Sequence, residues 1–221
     1  MSYGLYRFMV PKIKICGLTN LEAVNAAVKN KVDYISCVFY KYSPRNITPQ
    51  FAESITEEIP NRIQKIAVLS TYESNIEDII KYYKPEILQF HSDEEVDDIL
   101  KIKSRFGLPI IKTIRVNKLE DLKVINKYSE IADMYLFESY SDNNLYIDKP
   151  GNKFDWSLLK KVKIDKPWFL SGSLDKYNVN YARRVSGAVM INASVTLESS
   201  PGIKDPNMIE DFIKSVRNPN Y

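Results

Sequence analysis

Lys14-Ile15-Cys16-Gly17-Leu18-Thr19-Asn20 is the stretch on which the reading of the whole chain turns. Apolar residues lead into a thiol, a glycine follows, and then comes a Thr-Asn pair of the type that accepts hydrogen bonds from the first free amides of a helix. The pattern predicts a strand that stops near the cysteine, a tight backbone turn, and a helix. Leu21, Val24, Ala27 and Val28 supply that helix with an apolar stripe at helical spacing. A cysteine in an apolar strand is ordinarily core material, because free cysteine is among the most buried residue types. A place at the end of a strand carries more meaning if the same unit recurs.

The unit does recur along the chain. Short β-branched runs predict strands at 13–18, 34–39, 64–69, 87–90, 109–115, 134–137, 168–171 and 188–191. Amphipathic stretches predict a helix after each, near 21–30, 49–58, 73–82, 93–105, 118–127, 155–162, 175–185 and 206–216. Ser92 or Asp93 precedes the acidic pair Glu94-Glu95, which reads as a first turn complementing the helix dipole. Gly107 and Pro109 mark a helix stop, and Asp155 is placed to cap the sixth helix. Strands that alternate with helices must run parallel with right-handed crossovers. Eight such units predict an α/β fold, a single-domain (β/α)8 barrel over residues 1–221, a length that suits this architecture. The competing open sheet is disfavoured by the lack of a G-x-G-x-x-G after the first strand. The polar segment 138–153 is longer than an ordinary βα connection and reads as a lid.

Composition narrows the function classes. With 44% hydrophobic and 27% charged residues the chain is ordinary globular protein, and a net charge of +3, unclustered, argues against a nucleic-acid partner. Two cysteines, Cys16 and Cys37, and one histidine, His91, have no metal-ligand spacing and no disulfide framework. No apolar run approaches the ~18 residues of a membrane span. Residues 3–10 lack both the apolar core and the cleavage site of a signal peptide. The expectation is a cytoplasmic protein with no membrane partner.

In a (β/α)8 barrel the chemistry gathers where strands end, because eight βα loops converge there. The predicted ends deliver Cys16, then Ser43-Pro44-Arg45, Gln89 with His91, Arg115, Glu138, Ser171-Gly172-Ser173 and Asn192-Ala193-Ser194. Of Gln89 and His91, one reading places a side chain inside the barrel and the other on a ligand. Arg115 reads as the partner of a neighbouring carboxylate. Small residues after strands seven and eight are the usual phosphate position in this fold.

These residues resemble phosphoribosylanthranilate isomerase. The resemblance runs from Lys14 to about Ile213 and rests on Lys14-Ile-Cys-Gly-Leu-Thr, Val38-Phe39 with Ser43-Pro44-Arg45, Leu88-Gln89-Phe90-His91, Phe154-Asp155-Trp156 and Ser200-Pro-Gly-Ile-Lys-Asp205. It implies an Amadori rearrangement of a phosphorylated aminoaldose. Cys16 is implied as general base at ribose C2', Glu138 as general acid on the ring oxygen, and Arg45 as the group holding the anthranilate carboxylate. Gln89, Gly172, Ser173, Asn192 and Ser194 complete the implied substrate site. The resemblance implies no metal and no redox cofactor, a small phosphorylated substrate, and a monomer or homodimer.

Four departures stand out. Glu138 occupies a position usually held by aspartate, and Asp148-Lys149-Pro150-Gly151-Asn152-Lys153 replaces a glycine-rich lid. Ser171-Gly172-Ser173 stands for paired glycines, and Asn192-Ala193-Ser194-Val195-Thr196 for an aspartate, serine and glycine pattern. From the residues alone, a related sugar-phosphate isomerase with another aglycone and a non-catalytic phosphate-binding barrel remain open alternatives.

Overall fold

A computed structural model describes residues 10–69, 75–139 and 153–218. Strands β1 (Lys12–Cys16), β2 (Tyr34–Val38), β3 (Gln64–Leu69), β4 (Ile87–Phe90), β5 (Ile110–Val116), β6 (Met134–Ser139), β7 (Trp168–Leu170) and β8 (Met190–Ala193) pair in parallel and in sequence order. The pairing of β1 with β8, in the register Lys14 to Asn192, closes the barrel. Most of the predicted segment 138–153 lies outside the described residues, and the lid expected there is not described.

Strand geometry sends alternate side chains to opposite faces, and here the two faces differ in chemistry. Ile13, Ile15, Ile35, Cys37, Leu88, Phe90, Phe137 and Ile191 join the layer packed under the helices. Cys37 is buried there and burial pushes its thiol up to about 12, so it is packing material. The inward set forms a separate apolar cluster of Tyr34, Ile66, Ile87, Ile111, Leu136, Phe169 and Met190, with Tyr34 and Phe169 edge to face at 5.2 Å. This cluster fills the amino-terminal end of the barrel. The next inward residues towards the carboxyl end are polar and buried: Lys14, Ser36, Gln89, Thr113, Ser171 and Asn192. An apolar floor with polar groups above it leaves chemistry one end at which to occur.

The helices start where local side chains satisfy their first amides. Asn20 caps α1 (Leu21–Lys29) by accepting from Ala23 N, while Thr19 turns away to donate to Gly202 O at 2.5 Å. Thr48 caps α2 (Pro49–Thr56), and Asp205 caps α7 (Pro206–Arg217), each followed by proline at the first helical position. The third helical segment is a short turn α3 (Ile76–Asp78) that continues as a π-turn, Ile79–Tyr83. In the fifth, a 3-10 turn at Leu119–Val124 runs into α5 (Ile125–Tyr128). The sixth is a 3-10 turn, Trp156–Lys161, capped by Asp155 as expected, and α6 (Val179–Ser186) follows β7.

One boundary differs instructively. The fourth helix, α4 (Val96–Phe106), starts later than expected because Glu94 is withdrawn from its first turn. The Glu94 carboxylate is fully buried, 2.7 Å from Lys112 Nζ and 2.7 Å from the Ser92 amide. Lys112 also donates to Ser92 O and lies 4.9 Å from the Tyr128 ring centre. What reads as an acidic helix turn is a buried tie between β4 and β5.

Beyond β8, a 3-10 turn (Val195–Leu197) leads into a small antiparallel hairpin, β9 (Glu198–Ser200) with β10 (Ile203–Lys204). The sequence reading did not anticipate it. Its turn carries Gly202 at φ +86°, where a Cβ would overlap the carbonyl oxygen of Pro44. The hairpin is thereby seated on the loop after β2.

Candidate active site

The carboxyl ends of the strands carry most of the predicted residues to one face. Cys16 ends β1 and is half-buried, and it lines a cleft with Val38, Tyr40, Arg45, His91 and Ser194. The Ser194 hydroxyl donates to Cys16 O at 3.2 Å, fixing the β8 end against the β1 end. Gly17, at φ +74°, turns the chain immediately after the thiol. A Cβ there would lie 2.6 Å from Arg45 Cδ, so the glycine also makes room for the arginine stem.

Arg45 is buried and its guanidinium is already partly engaged. Its Nε and Nη2 donate to the two carboxylate oxygens of Glu198, at 2.6 and 2.9 Å. Lys204, itself fully buried, closes the cluster with Nζ 2.5 Å from Glu198 Oε1. Burial raises the affinity of Glu198 for its proton, but hydrogen bonds and charge from Arg45 and Lys204 outweigh it and hold the carboxyl below its ordinary range. Burial lowers Lys204, with the charge of Glu198 opposing it, and Cys16 also contributes to the field this ammonium feels.

Across the mouth stands a second charged group. Glu138 is buried near the end of β6, with Oε1 3.4 Å from His91 Nε2 and 3.8 Å from Arg115 Nε. Arg115 in turn donates to His91 O at 3.1 Å, so it does neighbour the carboxylate expected for it. Burial, followed by the positive charges of Arg115, Lys112, Lys14 and Arg45, depresses His91 to about 3, and its imidazole is neutral at pH 7. His91 therefore both lines the cleft and contacts Glu138.

One layer deeper, the predicted binding residues hold one another. Asn192 lies within β8, not after it, and accepts from Lys14 Nζ at 2.8 Å while donating to Ser171 Oγ at 2.8 Å. Gln89 donates to Thr113 Oγ1 at 3.1 Å, and its Oε1 is buried without a hydrogen-bond partner. Gly172, at φ +94°, packs so closely on Ser139 that a Cβ would lie 2.5 Å from its hydroxyl and 3.0 Å from its amide nitrogen. Ser173 takes up φ +48° beside it and its carbonyl accepts from Asn178 Nδ2 at 2.9 Å. Among the described residues, no three histidine, cysteine or carboxylate side chains converge as a metal site requires.

Comparison with known proteins decides the family. Residues 13–215 match the family described as N-(5'-phosphoribosyl)anthranilate (PRA) isomerase. The chain belongs to this family. Relatives bearing that name include one from Rhodopseudomonas palustris strain TIE-1, 36% identical over 93% of this chain and 97% of its own. Another, from Paramagnetospirillum magneticum, is 34% identical over 95% and 98%. Among solved structures, phosphoribosyl anthranilate isomerase from Thermotoga maritima superposes with a TM-score of 0.80 at 29% identity, covering 93% of this chain and 98% of that one. A phosphoribosyl anthranilate isomerase crystallised with reduced 1-(o-carboxyphenylamino)-1-deoxyribulose 5-phosphate gives 0.77 at 28% identity, with the same coverage. The fold expectation and the resemblance are both borne out, and the chain is an isomerase of this enzyme family.

Sequence reasoning missed Glu198, Lys204 and Lys14 as residues of the site. Lys14 and Lys204 stood inside the quoted motifs, but a lysine beside a strand reads as solvated. Glu198 had no local signal, since its partner Arg45 is 153 residues away.

Proposed function

We propose that the chain catalyses the Amadori rearrangement of N-(5'-phosphoribosyl)anthranilate to 1-(2-carboxyphenylamino)-1-deoxyribulose 5-phosphate, a step of tryptophan biosynthesis. The observation that carries this reading is the convergence of Cys16, Arg45 and the His91–Glu138 contact on one mouth of a barrel of this family. A carboxyl proton passes from Glu138 to the ring oxygen as the C1'–oxygen bond breaks, leaving an iminium at C1'. The Cys16 thiolate then removes the proton from C2', and the resulting enolamine tautomerises to the ketose. Proton transfer in each direction is internal, so no oxidant or reductant is consumed.

Arg45 binds the anthranilate carboxylate through its planar fork. The turns at Gly172, Ser173 and Ser194 receive the phosphate, with Asn192 and Gln89 below as polar supports. The test is turnover by purified protein of substrate made in situ from anthranilate and phosphoribosyl pyrophosphate. Loss of substrate fluorescence is expected; a folded protein that leaves it unchanged would overturn the assignment.

A further inference from the structure

The Arg45 guanidinium has five N–H donors arranged along two usable edges. Glu198 occupies the side edge, formed by Nε and Nη2, in a bidentate pair. The remaining end edge, Nη1 with the second hydrogen of Nη2, stands free of that pair, and Arg45 lines the cleft that holds Cys16. Charge is the second consideration. Arg45 and Glu198 alone would cancel, and a substrate carboxylate arriving at a neutral pair would gain little. Lys204, buried and 2.5 Å from Glu198, gives the three side chains a net positive charge. Gly17 and Gly202 admit the arrangement, one by clearing space for the Arg45 stem and the other by letting the hairpin rest on Pro44.

We propose that Glu198 and Lys204 are positioning residues for substrate recognition: Glu198 fixes the side edge of Arg45 so that its end edge meets an aromatic carboxylate, and Lys204 maintains the positive charge that this carboxylate requires. The inference rests on the reading of Arg45 as the carboxylate-binding group. It assigns the two short strands after β8 to specificity, and explains why a loop after β2 and a hairpin after β8 must fit each other.

The two residues are separable because their removal changes charge in opposite senses. Lys204→Met leaves Glu198 paired with Arg45 and makes the cluster neutral, so KM for the carboxylate substrate rises by about ten- to a hundredfold with a smaller change in kcat. Glu198→Gln adds a net positive charge but loosens Arg45, so kcat falls by about tenfold or more while KM stays level or drops. The double variant restores the native net charge, and its KM returns towards that of the wild type although kcat remains low. Ribose 5-phosphate, which has the phosphate but no carboxylate, inhibits wild type and Lys204→Met within about twofold of each other.

Thermal melts confirm which variants fold, and Lys204→Met alone carries the test if Glu198→Gln does not. An unchanged KM in folded Lys204→Met, or an equal shift in ribose 5-phosphate inhibition, overturns the clamp. If Arg45→Met raises KM while Lys204→Met does not and Glu198→Gln keeps its kcat, only the clamp fails. If Arg45→Met itself leaves KM unchanged, the reading of Arg45 fails with it.

Discussion

At the scale of single residues, Glu138 is the carboxyl group on which the proposed acid step depends. Its side chain is buried between His91 and Arg115 and ends 3.4 Å from the imidazole. Replacing it by glutamine preserves shape and removes the transferable proton, so turnover should fall by about 10²–10⁴-fold in a folded protein. Steady-state kinetics beside a thermal melt checks this, and a near-normal kcat would remove Glu138 from the mechanism. His91 makes a separate prediction about stability. Its folded value near 3 lies below the ordinary value of 6.5, so between the two the unfolded chain binds more protons than the folded one. This contribution to stability is complete above about pH 6.5 and is lost as pH falls towards 3, with a slope of up to about 1.4 kcal/mol per pH unit. Burial sets it first, followed by the positive charges of Arg115, Lys112, Lys14 and Arg45, while the Glu138 carboxyl group faces the ring at 3.4 Å. Urea unfolding of His91→Asn across pH 4 to 7 should show a shallower decline than the wild type.

At the scale of elements, the buried Glu94–Lys112 pair joins β4 to β5 and is satisfied by the Ser92 backbone on both sides. Removing one charge strands the other in a dry site. Lys112→Met should therefore cost about 3–5 kcal/mol, whereas Lys112→Met combined with Glu94→Leu should recover a substantial part of it. Denaturant midpoints of the two variants decide whether the pair matters as a pair. The hairpin of β9 and β10 gives a second case. Gly202→Ala forces a side chain onto a left-handed backbone and into Pro44, so it should destabilise the protein and raise KM together. Gly107→Ala is the control, since it carries the same backbone strain with nothing within 4 Å of the added Cβ, and it should leave KM alone.

At the scale of the molecule, the barrel was legible because its cause is local. Alternation of strand and helix, capped by Asn20, Thr48 and Asp205, recurs through the chain, and each boundary is written within a few residues. The place of Cys16 at a strand end followed from the same rhythm. Charge pairing was not legible, because Arg45 and Glu198 meet only after closure brings β8 beside β1 and seats the hairpin on the β2 loop. Glu94 was read on the wrong side of the protein surface for that reason, its partner Lys112 lying on the next strand. Asn192 was placed in a turn because β8 begins and ends about two residues later than the apolar run suggests.

In the proposed reaction this barrel isomerises a phosphoribosylated anthranilate with Cys16 as the base. Single-turnover fluorescence of Cys16→Ser against wild type tests it most directly. The serine variant should fold, bind the reduced product analogue seen with a relative, and convert substrate at least about 10²-fold more slowly than a wild type that turns it over freely. A serine variant with wild-type conversion would show that Cys16 is not the base.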